Sequence, residues 1–463
     1  MDIKGKEIGI QKKLSLVNAD FIAFVEDNPE ALEASNFKLL DLHNWLFKLQ
    51  PWPTFINNKS RKAFQEAAEK LFNLIKGLPK RVFDNNPQKI SDYYGISVDQ
   101  VKQLLEGVTA EYLDNILGRG DFLLSSSGLK CLEYNVVVSL GGMYVPIWES
   151  LYLNNPLISR FLKEYNVRTK NENLFSLFLE HVIDAFLPKT SEDKKELNIA
   201  LVAKGFVKGT ETTIGSYLNK LFKKISQGKY KSLSGGIFVC DYQHLEVVDD
   251  YLFYNGKKIH VVTEIYSGEV SPGVLEVFKA GHVGLLNGPF CRLLSEKLNL
   301  ALLSDYETAT PGVFTDEEKK IIDKYIPWTR KIVPGFTHYK GEKIGLENFI
   351  LSNREALVIK PSDGYGGKEV YVGKKTPAHQ WGEAVITAMG EKNWVVQELV
   401  ESPPGIYQAG ERGCEPHDMA WGFFVFGSRY TGAWCRVMPQ NINKGVINCH
   451  QGATVSVIFD VDD

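Results

Sequence analysis

Apolar positions recur along this chain in two rhythms. In "SRKAFQEAAEKLFNLIKGL" they return every three or four residues, which puts Phe64, Ala67, Ala68, Leu71, Phe72 and Ile75 on one helical stripe. Gly77 supplies a stop signal for that helix. "SVDQVKQLLEGV" repeats the rhythm behind Ser97, a suitable N-cap, and "ENLFSLFLEHVIDAFL" repeats it again. Residues 1 to about 115 therefore read mainly as helices and loops.

From about residue 196 the rhythm changes. "LNIALVAK" and "GGIFVCD" are short apolar runs suited to buried strands, with a helical "GSYLNKLFKKI" between them. "YLFYNGKKIHVVTEIY" reads as a hairpin turning at Asn255-Gly256. Past about residue 310, "DEEKKIIDKYIPWTRKI" reads as helix and "ALVIKPSDGYGGKEVYVG" as strand, glycine loop and strand. "NWVVQELV" is a strand, "GFFVFGSRYTGAWCRV" a strand pair turning near Gly427 and Ser428, and "ATVSVIF" closes the chain on a β-rich run.

The hairpin candidate "GRGDFLLSSSGLKCLEYN" has polar groups at alternate positions. Turning about Ser127, it opposes Asp121 to Glu133 and Arg119 to Asn135 on one face. Phe122, Leu124, Leu132, Tyr134 and Val136 fall on the other face, which reads as core. Opposed carboxylates destabilise a sheet unless a cation or a shared proton joins them. Arg119 is one such cation. Mg²⁺ is the other, because two carboxylates and an amide oxygen suit a hard ion that keeps water and phosphate in its remaining positions.

Composition narrows the class. The 463 residues are too many for one core and imply two or three domains; 44% hydrophobic and 24% charged residues are ordinary for a globular protein. A net charge of −3 gives no sign of a broad nucleic-acid footprint. Six cysteines lie scattered with no CxxC pair, as expected of free buried thiols. "MDIKGKEIGIQKK" lacks the apolar core of a secretory leader, and no apolar run approaches the ~18 residues of a membrane span, so a cytoplasmic location is expected.

The second chemical candidate is the glycine loop. Lys360 closes an apolar strand, and Gly364, Gly366 and Gly367 follow, leaving backbone N–H groups free to approach a phosphate. The loop joins two strands and lacks "GxxxxGK[ST]", so it is neither a Walker loop nor a dinucleotide fingerprint. A flexible hairpin loop with a solvated lysine is the plainer alternative.

The lysine and glycine loop, the "VVQELV" strand and the acidic-x-Asn pair together resemble the ATP-grasp ligases. Glu133 precedes Lys360 by 227 residues. That order resembles the circularly permuted ATP-grasp group, to which the synthetase domain of glutathionylspermidine synthase belongs. "RGD" and "EYN" match its Arg-x-Asp and Glu-x-Asn, with twelve residues from Asp121 to Glu133. The resemblance covers roughly residues 115 to 463. It implies an α+β, circularly permuted ATP-grasp fold with a helical N-terminal region over 1–110. Residues 111–165 would be the metal-binding part and 166–305 an inserted α/β, pre-ATP-grasp-like substrate domain. Residues 306–463 would be the ATP-binding part.

It further implies Asp121, Glu133 and Asn135 as Mg²⁺ ligands, with Arg119 on the transferring phosphate or acyl group. Lys331 and Lys360 would hold ATP, Gly364, Gly366 and Gly367 would cover its phosphates, and Gln397, Glu398, Leu399 and Val400 would line adenine. Arg436 is placed on the intermediate or the substrate carboxylate, a surface ion pair being its plainer reading. His417 and Asp418 read as loop polar residues and His450 as structural. The implied activity is an ADP-forming carboxylate–amine ligase that works through an acyl phosphate. A phosphotransferase and a non-catalytic nucleotide-binding protein are the alternatives on the same fold. The partners would be a small-molecule or peptide carboxylate and an amine, with no nucleic acid or membrane. The sequence departs from the group at "VVVSLGG" and at Thr263-Glu264-Ile265-Tyr266, both near the expected acceptor. These 463 residues show no resemblance to the amidase domain of glutathionylspermidine synthase, and its substrate is not carried over.

Overall fold

The striped helix runs over Asn58–Phe83, six residues past Gly77, and contains Pro79. Its stripe is wholly buried. A mid-helix glycine costs about 1 kcal/mol and a proline removes one backbone hydrogen bond. Burial of Leu78, Pro79 and Phe83 carries the helix through both, and it ends at Asp84 in the left-handed conformation. At its start the Asn57 side chain accepts from the Ser60 N–H at 2.9 Å. The helix braces the central sheet: Phe64 stacks on Phe423 at 4.5 Å, and Tyr134 donates its hydroxyl to the Ala68 carbonyl at 2.6 Å. Ser97 caps Val98–Leu105 with a full capping box.

This computed structural model describes residues 9–28, 47–137, 142–187, 195–203, 210–230, 233–265, 270–364, 366–409 and 413–462. Tyr266 and residues 138–141 of the expected acceptor region lie outside them, as does Tyr365 of the glycine loop.

The central sheet is ordered Lys48–Leu49, Thr454–Ser456, Arg429–Pro439, Gly413–Phe426, Leu117–Ser125, Gly128–Asn135, with Gly405–Ala409 also paired to Gly413–Phe426. The early hairpin thus completes a sheet made largely from the end of the chain. Segment 48–56, expected to be helix or loop, holds two short strands, Lys48–Leu49 and Thr54–Ile56. They pair in parallel with Thr454–Ser456 and Ile458–Asp460.

A second sheet, Gly284–Leu286, Val261–Ile265, Lys195–Ala203 and Leu233–Cys240, is all parallel, and helix Thr210–Gly228 connects its last two strands. The turn at Asn255-Gly256 forms as expected, both residues at positive φ (48° and 72°). The expected hairpin is nevertheless cut at His260, whose N–H donates to the Asn198 carbonyl at 2.9 Å. Val261–Ile265 leaves it for the parallel sheet.

A third, antiparallel sheet is ordered Thr329–Lys331, Trp394–Glu398, Leu357–Pro361, Tyr371–Val372. The helix read over "DEEKKIIDKYIPWTRKI" therefore covers only Asp316–Tyr325. Pro327 stops it, and Thr329–Lys331 is strand. This sheet has its own apolar cluster from Ile332 to Val396, whereas the main core reaches from Ile10 to Val461. All six cysteines are free, five of them buried. Among the described residues no helix is long and apolar enough to cross a membrane.

Candidate functional site

The hairpin's register opposes Arg119 to Asn135 and Asp121 to Glu133, as the alternation predicts. Between Asp121 and Phe122 it slips by one, so Cys131, not Leu132, faces Phe122. Leu132 therefore leaves the core face, and Cys131 is the buried residue. The displaced Leu132 carbonyl accepts from Lys360 Nζ at 2.9 Å. One extra residue thus joins the early hairpin to the late glycine-loop strand.

Asp121 is buried and engaged on both oxygens. Its Oδ1 accepts from Arg119 Nε at 2.7 Å. Its Oδ2 accepts from Arg119 Nη2 at 3.0 Å, Arg436 Nη2 at 3.0 Å and Asn135 Nδ2 at 3.3 Å. Both guanidinium groups lie against Trp434, at 5.2 Å for Arg119 and 6.0 Å for Arg436. The strand between them carries Gly422, where a Cβ would stand 2.0 Å from Trp434 Nε1, so only glycine fits. Arg436 is 6% exposed, which overturns its reading as a surface pair. Among the described residues its buried Nε has no hydrogen-bond partner, a cost that an anionic ligand would remove.

Lys360 is 6% exposed and also donates to Gln397 Oε1 at 3.1 Å. Gln397 Nε2 in turn donates to Thr329 Oγ1 at 3.0 Å. Burial lowers the Lys360 pKa to about 8, with Lys297 adding to the fall and Glu133 opposing it. The Glu133 pKa is lowered as well, which for a carboxylate favours the charged form. Burial alone would raise it, but Lys297, Lys360, Arg436 and Arg119 outweigh that and hold it at about 2.

The sequence reading missed Lys297. Its Nζ lies 3.3 Å from Glu133 Oε2 and donates to the Gly364 carbonyl at 2.6 Å. The available signal was a Glu296-Lys297 pair interrupting the apolar run "FCRLLSEKLNLALL".

The remaining candidates are more spread. Lys331, Val395 and Lys360 are paired across the third sheet and so share a face, but the Lys331 ammonium donates to the Tyr93 carbonyl. Glu398 accepts from the Tyr339 hydroxyl at 3.1 Å, Leu399 donates its N–H to the Ala356 carbonyl, and Val400 follows the strand's end. Gly366 and Gly367 have left-handed φ of 68° and 72°. The Gly367 carbonyl accepts from Gln451 Nε2 at 3.1 Å. His417 and Asp418 lie in strand Gly413–Phe426 rather than a loop. His417 Nδ1 meets the Glu415 carbonyl at 2.9 Å, and burial lowers its pKa. Asp418 accepts from Gln440 and Asn443. His450 is exposed, and its N–H donates to the Asn448 side chain.

The donor set can be tested for a divalent cation. Glu133 fits, being ionised and, with 30% of its side chain exposed, open to the cleft. Asn135 turns its amide nitrogen to Asp121, which leaves its oxygen for another partner. Asp121 does not fit as arranged, because a cation there would have to displace two arginines. Among the described residues no group of three or more His, Cys, Asp and Glu forms a metal cluster.

No protein-family model matches the sequence, and no curated protein does either. Among solved structures, a glutathione synthetase-like effector from Globodera pallida matches over 96% of this chain and 96% of its own, at a TM-score of 0.60 and 11% identity. A putative γ-glutamylcysteine synthetase from Methylobacillus flagellatus matches over 84% and 87%, at a TM-score of 0.41 and 10% identity. The first of these shares this chain's overall fold, a mixed α/β architecture consistent with an ATP-grasp-like fold.

Proposed function

We propose that this chain is an ATP- and Mg²⁺-dependent carboxylate–amine ligase that forms an acyl phosphate and releases ADP and phosphate. One observation carries the reading. Four cationic side chains, Arg119, Arg436, Lys297 and Lys360, converge on the two carboxylates Asp121 and Glu133. Burying excess positive charge is costly unless an anion completes the site. A nucleotide polyphosphate with a substrate carboxylate supplies that charge. The fold shared with a glutathione synthetase-like protein supports the same class.

The fold would be circularly permuted, with Glu133 on the early hairpin and Lys360 on the late sheet. Residues 1–110, 111–165, 166–305 and 306–463 remain the proposed division into domains. ATP would lie between the hairpin and the third sheet, with adenine beside Gln397 to Val400 and phosphates toward Lys360 and the glycine loop. Lys331 would turn from Tyr93 to join them. Arg119 and Arg436, fixed in orientation by Asp121, would hold the substrate carboxylate beside the γ-phosphate. Catalysis of this transfer is mainly positioning and charge neutralisation.

The γ-phosphoryl group would pass to the carboxylate oxygen as its bond to the β-phosphate breaks. An amine would then attack the acyl carbon and expel phosphate. Mg²⁺, held by Glu133 and Asn135, would neutralise phosphate charge. The loop from Gly364 to Gly367 would exclude water from the acyl phosphate.

The test is a screen of amino acids, small peptides and amines for ADP release, with mass spectrometry of the product. ADP and phosphate formed only with both acid and amine support the ligase. AMP rejects it. ADP formed with one substrate and a stable phosphorylated product would make the chain a phosphotransferase.

A further inference from the structure

Three consecutive residues from the segment after the parallel sheet grip the stem of the glycine loop. Strand Gly284–Leu286 leads into the short helix Cys291–Leu294, and helix Leu298–Ser304 follows it. Between these helices, the Lys297 N–H donates to the Ser362 carbonyl at 3.1 Å and the Leu298 N–H to Ser362 Oγ at 3.0 Å. The Ser362 hydroxyl donates to Glu296 Oε2 at 2.5 Å. Lys297 Nζ then spans to the Gly364 carbonyl at 2.6 Å and the Ser362 carbonyl at 3.4 Å.

The same ammonium lies 3.3 Å from Glu133 Oε2. Lys297 is 6% exposed, so its end of this contact is shielded from water, while Glu133 keeps 30% of its side chain exposed. Beyond the stem, Gly366 and Gly367 adopt left-handed backbone and the Gly367 carbonyl accepts from Gln451 Nε2 at 3.1 Å. On the hairpin side, the Lys297 contacts tie the stem to Glu133. Lys297 thus joins Glu133 to the loop stem through one side chain.

We infer that Lys297 is a positioning residue that holds the glycine-loop stem in register with Glu133, so that one nucleotide can meet both. This rests on the proposed ATP site but adds a role that site does not assign. Glu296 and Ser362 are the second tie of the same clamp. The arrangement also makes the segment that leaves the parallel sheet part of the loop's support, so displacement of that segment would move the loop.

The test uses the full chain and variants Lys297→Met, Lys297→Arg and Ser362→Ala. Without nucleotide, amide hydrogen exchange over 362–372 is expected to quicken roughly tenfold in Lys297→Met, as one buried charged hydrogen-bond set is lost. Exchange in helix Asn58–Phe83 should stay unchanged. With ATP, KM for ATP should rise roughly tenfold while kcat changes by less than about threefold. Lys297→Arg should recover part of both effects, and Ser362→Ala should show the exchange effect in weaker form. If Lys297→Met does not fold, Ser362→Ala and Lys297→Arg carry the test. Unchanged loop exchange overturns the inference, and so does faster exchange with unchanged KM, which would leave Lys297 a purely structural tie. Failure of the wild-type chain to bind ATP would reject the ligase reading instead, while the exchange result would still report on the clamp.

Discussion

Glu133 and Glu149 both sit in recesses, and their surroundings drive their acidity in opposite directions. Glu133 is held at about 2 because four cations outweigh its burial. Glu149 lines a cavity of about 190 Å³ behind the central sheet and is pushed up to about 7. Burial raises it and Asp460 adds to the rise, more than the Asn171 amide at 2.6 Å can offset. The second cavity is not short of arginine. Arg429 is taken by Glu172, with contacts of 2.9 and 3.0 Å, and Arg61 stands 3.9 Å from Asp460. What separates the two recesses is the ratio of charges. In the first, cations remain after every carboxylate is paired, and such a surplus marks an anion site. In the second, Arg429, Arg61 and Lys170 each face an acid of their own, Glu172, Asp460 and Asp462, and the leftover carboxylate, Glu149, prefers to be neutral.

The largest effect should come from removing the proposed metal ligands of the cleft. Glu133→Gln or Asn135→Ala is expected to cut ATP turnover by roughly 10²-fold or more with the circular dichroism spectrum unchanged. Glu149→Gln should leave turnover within about twofold. Turnover near wild type in both cleft variants would remove the metal assignment and the comparison with it.

Asp121 sharpens the same contrast through stability. It faces two guanidinium groups, so Asp121→Asn leaves buried positive charge uncompensated, at a cost of about 3 kcal/mol. Urea denaturation reads this directly. A loss under about 1 kcal/mol would mean the arginines find other partners, and the surplus-charge argument would weaken.

Lys360 comes next. Lys360→Ala should weaken ATP binding by about 1–3 kcal/mol in calorimetry, through loss of a charge-assisted contact. Its lowered pKa of about 8 also sets a pH dependence. The ammonium is the form that binds phosphate, so affinity should fall as pH rises through 8, and binding near pH 8 should take up a proton. Lys360→Arg should flatten that profile, since a guanidinium does not titrate there. Unchanged affinity in Lys360→Ala refutes the nucleotide role.

How far the sequence reveals this site depends on the range of each contact. The facing of Asp121 and Glu133 follows from a two-residue period and a short turn, so it is legible. The bulge at Leu132 is not, because a one-residue insertion changes no composition or period. Lys297 was missed because its partners, Glu133 and Gly364, are far away in sequence and meet it only in the fold. Arg436 was underestimated for a related reason: its burial depends on Asp121, more than three hundred residues earlier. Helix Asn58–Phe83 was legible along its stripe but not at its end, where buried Leu78 and Phe83 overrule Gly77 and Pro79. The two- and three-residue strands near residue 50 are too short to carry a pattern, and their C-terminal partners make them strands.

The smallest effect tests the comparison from its quiet side. Glu149 has a pKa of about 7 in the folded chain against an ordinary 4.5 unfolded, so the folded state binds its proton more tightly between those values. Stability should therefore fall as pH rises from 4.5 to 7. Glu149→Gln keeps a neutral partner for Asn171 and removes that loss. The variant should match the wild type near pH 4 and exceed it at pH 8 by on the order of 1 kcal/mol, a figure reduced for the group's contact with solvent. Asp460, raised to about 6, should leave a weaker slope of the same sign in the variant. Glu133 has the opposite sign: its contribution is present above 4.5 and lost as pH falls toward 2. Thermal denaturation from pH 3 to 8 separates these arms. A Glu149→Gln curve parallel to wild type throughout would show that Glu149 is ionised in the fold, and that charge ratio does not govern the two recesses as argued.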